Sequence, residues 1–117
     1  MQIEIKRISS DLTIYLKAWQ PELYDEVYAH VVLEIGEIDQ PGADIFRFLL
    51  ATPEAIRKRI DSTVIYHRSV VVVSHFNWKE LISHLNSVIS ACERPTWSDC
   101  CQELMKYFDW EFEGMTS

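Results

Sequence analysis

The hydrophobic period changes along this chain, and that change limits the folds open to it. In the first half, apolar side chains recur at every second position; after residue 77 they recur at helical steps. Residues 2–8 read Gln-Ile-Glu-Ile-Lys-Arg-Ile, a first strand. Residues 9–21 are mixed and irregular, with Leu16 and Trp19 as anchors. Glu26–Ile38 is a long second strand. Val27, Ala29, Val31, Leu33 and Ile35 share one face, and Tyr28, His30, Glu34 and Gly36 fall mostly on the other. Such alternation suits an antiparallel sheet with one wet face. Asp39-Gln-Pro-Gly-Ala-Asp44 reads as a turn, with Pro setting φ and Gly accepting a positive φ. Ile45–Ala51 is a third strand, close enough to pair with the second as a hairpin.

Thr52-Pro53 then opens a short helix over Pro53–Arg59, with Thr as N-cap and Pro where the missing N–H had no partner anyway. Val64–Ser74 is β-branched and reads as a fourth strand. Asn77-Trp78-Lys79-Glu80 resembles a capping box. Trp78, Leu81, Ile82, Leu85, Val88, Ile89 and Cys92 follow on one stripe of about four helical turns. Arg94-Pro95 ends that helix and Thr96 caps the next, whose stripe is Trp97, Cys100 or Cys101, Leu104 and Phe108. Asp109–Glu113 alternates, as a short last strand or an extended cap. Strands first and long helices last imply an α+β fold. The expected architecture is an antiparallel sheet of about four strands, two C-terminal helices packed on one face and a short helix in between.

A chain of 117 residues suggests one domain over 1–117. Three Gly, four Pro and an aromatic content of 12% argue against a linker-like or disordered chain. The longest aliphatic run, Val70–Val73, is far short of a membrane span of ~20 residues. Met1–Ser10 has no apolar signal core. The expectation is a cytoplasmic protein with no membrane partner. Cys92, Cys100 and Cys101 form neither a secreted disulfide framework nor a C-x-x-C; Cys92 and one of Cys100 or Cys101 read as small core residues.

Catalytic motifs are missing from the sequence. Gly36, Gly42 and Gly114 are isolated, so no phosphate-cradling loop exists, and there is no G-x-S-x-G elbow. His30, His67, His75 and His84 lack metal-ligand spacing. A Cys–His pair has no local motif behind it. Glu111 and Glu113 would share a strand face, as paired carboxylates for acid–base chemistry or, more ordinarily, as a solvated edge. No catalytic residue, metal or cofactor is therefore expected.

Charge is the more informative feature. Eighteen acids face eleven Lys and Arg, a net of −7. Seven of those acids (Glu22, Asp25, Glu26, Glu34, Glu37, Asp39, Asp44) lie between Ala18 and Phe46, a stretch with no Lys or Arg. Outside it, acids and bases are equal in number. Such a field repels a phosphate backbone, so no nucleic-acid partner is expected; it attracts a basic protein and speeds its approach, although a solvated, solubilising surface explains it as simply. Trp19, Tyr24 and Tyr28 sit within or beside the segment, and Tyr and Trp are favoured binding anchors. The seven acids with Tyr28 form the candidate contact set. Exposed edge strands such as the first leave homodimerisation or strand addition open.

The second half resembles the immunity-protein-8 family of bacterial polymorphic-toxin and contact-dependent inhibition systems. The resemblance rests on a Phe-rich strand running into Thr52-Pro53, the strand Arg68-Ser-Val-Val-Val-Val73, the helix after Asn77, Trp97 opening the last helix, and the ending Tyr107-Phe-Asp-Trp-Glu-Phe-Glu113. It covers about Asp44–Met115; the part before it fits in element order. His67 stands where the pattern has Gly, and Gly114-Met115 replaces an expected aromatic. The resemblance implies a binding module made beside a toxin domain that it neutralises, not an enzyme. Many such toxins are nucleases with basic clefts, a partner that suits the acidic segment; the choice of contact residues rests on the charge map alone. The competing expectations are a small ligand-binding or regulatory module without a toxin, and a small hydrolase.

Overall fold

The computed structural model describes residues 1–59 and 69–112. Among these residues, five strands and three α-helices follow in the order β1 (Ile3–Ser10), β2 (Tyr28–Glu37), β3 (Asp44–Ala51), α1 (Pro53–Lys58), β4 (Val70–Val72), α2 (Trp78–Ala91), α3 (Trp97–Leu104) and β5 (Asp109–Trp110). A single 3-10 turn, Leu16–Ala18, lies between β1 and β2. The architecture is α+β, as expected. Expectations for residues 64–68, His67, Glu113, Gly114 and Met115 fall outside the described residues.

The sheet order is β1-β2-β3-β4, and β5 pairs with β3 as well. β2 and β3 form the expected antiparallel hairpin, with Leu33 opposite Phe46 and Val31 opposite Phe48. β4 runs parallel to β3. A parallel neighbour requires a crossover, and α1 lies within it. β4 and β5 share one edge of β3. β4 pairs with Leu49–Ala51, and β5 pairs antiparallel with Phe46 and Arg47.

The core forms on one sheet face. Val27, Ala29, Val31, Leu33 and Ile35 are all buried, as their alternation requires, and meet Phe46, Phe48 and Leu50 of β3. Leu81, Leu85 and Ile89 of α2, and Cys100, Cys101 and Leu104 of α3, close over them. Phe108 joins the same cluster although α3 ends four residues before it. Leu16 is wholly buried, and Trp19 meets Phe76 edge-on at 5.0 Å, so both anchors of the irregular link enter the packing.

Each expected helix cap is made. Thr52 Oγ1 accepts from Ala55 N, Asn77 Oδ1 from Glu80 N and Thr96 Oγ1 from Asp99 N. Thr52 is fully buried and also accepts from Val27 N at 3.0 Å, which ties the lead-in of β2 to the start of α1. In β1 the register shifts between Ile5 and Arg7. That bulge brings Ile8 back to the face of Ile3 and Ile5 across a three-residue step.

Candidate functional site

The acidic segment does not form one patch. β2 runs through its middle, and at ~3.3 Å per residue it holds Glu26 and Glu37 about 35 Å apart. Glu22 and Asp25 are exposed in the link before β2. Glu26 is half-buried and receives a bond from Lys58 Nζ at the end of α1. Tyr28 lies 4.1 Å under the Arg59 guanidinium, a cation–π contact, and meets His30 edge-on. Cations thus partly neutralise this end. Midway along the strand, Glu34 faces Arg7 of β1 at 3.7 Å.

Glu37, Asp39 and Asp44 gather at the other end, around the β2–β3 turn. Glu37 and Asp39 are exposed and make no ion pair among the described residues. Asp39 has φ of 63° and Gly42 of 93°, so the turn takes two left-handed positions and only one of them is glycine. Lys6 Nζ donates to the Gln40 carbonyl and is the cation that the turn meets. A cleft of about 240 Å³ opens between the turn and the Trp97 side chain, bordered by Glu37 and Asp44.

Asp44 differs from the other candidates. Its carboxylate turns to the core side, where Oδ2 accepts from Trp110 Nε1 at 3.0 Å and Trp97 Nε1 at 3.2 Å. It thereby joins β3, β5 and the start of α3. Trp97, expected on the apolar stripe of its helix, supplies a polar contact here together with Trp110, which also stacks on Phe46. Glu111 has a comparable local task. Its Oε1 accepts from Ile45 N while its own N–H bonds to Ile45 O. Asp99 is exposed two residues after Trp97.

The cysteines lie in the core: Cys92, Cys100 and Cys101 are all buried and free. Only one of Cys100 and Cys101 was expected inside. Both are enclosed: Cys100 Sγ lies against Arg94 and Met1, and Cys101 Sγ against Asp44. Burial, reinforced by the Asp44 carboxylate, pushes the Cys101 thiol up to about 12, and burial raises Cys92 as well. Neither is a thiolate near neutral pH, the form that a nucleophile requires. Among the described residues, no group of three or more His, Cys, Asp or Glu stands close enough to hold a metal ion. None of their helices is long and apolar enough to cross a membrane.

The arrangement offers carboxylates, aromatic rings and a shallow cleft, which suit recognition of a cationic surface. A family model, Immunity protein 8, matches residues 3–115. The chain belongs to that family. The match takes in β1 and β2 as well as the second half, so the amino-terminal segment is part of the same family pattern. Membership implies a cognate toxin that the protein neutralises, and proteins of this kind are typically inhibitors without enzymatic activity. No curated protein and no solved structure matches this immunity protein.

Proposed function

We propose that this immunity protein acts as a single cytoplasmic domain over residues 1–117. It docks on a basic, nuclease-type toxin domain and transforms no molecule itself. The carboxylates of the β2–β3 turn, Glu37 and Asp39, lead the contact. Glu22 and Asp25, at the far end of β2, add to the long-range field. The observation that carries this reading is that Glu37 and Asp39, at the turn beside a cleft walled by Trp97, make no ion pair among the described residues. At the opposite end, Lys58 and Arg59 sit on Glu26 and Tyr28. A Lys or Arg from the toxin that enters the cleft meets Glu37 and the Trp97 ring together, the pairing of charge and aromatic surface found at binding hot spots. Glu26, Glu34 and Tyr28 already hold cations of their own chain and contribute less.

Stopped-flow association with the toxin domain encoded beside this protein tests the reading. At low ionic strength, E37K/D39K is expected to lower the association rate about 10-fold or more, a drop that shrinks as salt screens the field. E22K/D25K is expected to lower it less. An association rate that is insensitive to both pairs, and to salt, contradicts the proposal.

A further inference from the structure

β1 is the outer strand of the sheet, and its free edge is closed at both ends and open in the middle. Gln2 O accepts from Ile38 N, and Asp11 N donates to His30 O; these bonds set which residues turn their main chain toward β2. In an antiparallel ladder the residues between them alternate, and the bulge at Lys6 resets the alternation. The main-chain groups of Ile3, Ile5, Ile8 and Ser10 therefore face outward. Ile3 N is taken by the Glu93 carboxylate at 2.8 Å, and Ser10 N by Thr13 O at 2.8 Å. Ile5 and Ile8 meet no pairing strand among the described residues.

The open stretch is one wall of a groove of about 920 Å³. Trp78 and Ile82 of α2 line it too, as do Ile14 and Tyr15 of the link after β1. Ile14 is 58% exposed and Tyr15 71%, so two large apolar side chains stand in water at its lip. Lys6, Arg7 and Lys17 also line the groove, and no acid does; Lys6 reaches the Gln40 carbonyl and Arg7 faces Glu34, which leaves Lys17 as the cation turned to an occupant. In a chain where acids outnumber bases eighteen to eleven, that local reversal sets the chemistry of the occupant.

We propose that this groove receives an extended segment of the toxin, bearing alternating apolar and acidic side chains, which adds to β1 as a further strand. Main-chain bonds form to Ile5 and Ile8. The apolar side chains of the segment lie on Trp78, Ile82 and Tyr15, and a carboxylate meets Lys17. Strand addition of this kind draws affinity from the backbone and specificity from alternate side chains. It rests on the toxin reading above but uses the opposite sign of charge on a different face, so the two contacts are separable.

Amide hydrogen exchange of the wild-type protein, with and without the toxin domain encoded beside it, reads the backbone directly. The Ile5 and Ile8 amides are expected to exchange at least about 10-fold more slowly in the complex, while Ile3 and Ser10, already bonded, change little. The exposed-surface variant I14D/Y15D/K17E is expected to bind about 30-fold more weakly or worse, the loss typical of a hot spot. If the wild type binds and neither amide slows, the groove proposal is overturned and the toxin reading stands. If the wild type does not bind that domain, the toxin reading itself fails. If Ile5 and Ile8 gain protection with the protein's own concentration, in step with a dimer in sedimentation, a second copy fills the groove and the proposal is overturned.

Discussion

Asp44 shows how one side chain changes meaning between sequence and structure. By charge it belongs to the acidic segment; by contacts it is a strut between β3 and two indole N–H groups that come from 53 and 66 residues away. Removal of the acceptor leaves both part-buried donors without a partner, at a typical cost of about 1–3 kcal/mol. Asp44→Ala is expected to lower unfolding stability by about that amount in urea titration, and Asp44→Asn, which keeps one oxygen, by less. Equal stability of Asp44→Ala and the wild type contradicts the strut. The caps Thr52, Asn77 and Thr96 were legible in the sequence because the groups they satisfy lie three residues on. The Asp44–Trp contacts were not, because no local pattern encodes a partner so distant. Both adjacent cysteines enter the core for the same kind of reason: their burial depends on what packs from outside their own helix.

At the scale of elements, legibility follows the range of the determining contacts. The strict alternation from Val27 to Ile35 gave away β2 and its buried face, and the Asp39–Asp44 turn gave away the hairpin. The bulge in β1 also left a trace, the longer step from Ile5 to Ile8 across Lys6-Arg7, which a reading of residues 2–8 as simple alternation passes over. The parallel pairing of β4 left none, since strand direction depends on how the crossover packs and not on strand composition. The β2–β3 turn itself makes a sharper prediction. A Cβ placed on Gly36 would lie 2.4 Å from Gly42 O and 3.3 Å from Ala43 Cα, so the turn folds back onto the strand where only glycine fits. Gly36→Ala forces that backbone apart, and a loss of about 1–3 kcal/mol is expected in the same titration. An unchanged midpoint contradicts the close approach. Because Glu37 and Asp39 flank it, the variant is also expected to weaken toxin binding through their displacement.

Over the whole molecule, the sequence shows how much charge there is but not how it is spread. The acids that look like one block in a row of letters are divided by the length of β2, and cations from α1 and β1 offset some of them. What remains is an acidic turn at one end of the sheet and a basic, apolar groove along the free edge of β1. Two faces of opposite character suit a protein whose work is to grip another protein. The three thiols are buried in the core, and Cys101 is protonated at neutral pH. Titration of the purified chain into its toxin domain, with toxin activity followed, tests the central claim most directly. Docking predicts a linear fall to zero activity at one equivalent, with the chain recovered intact in the complex. Full inhibition by a small fraction of an equivalent, or none at several equivalents, would contradict it.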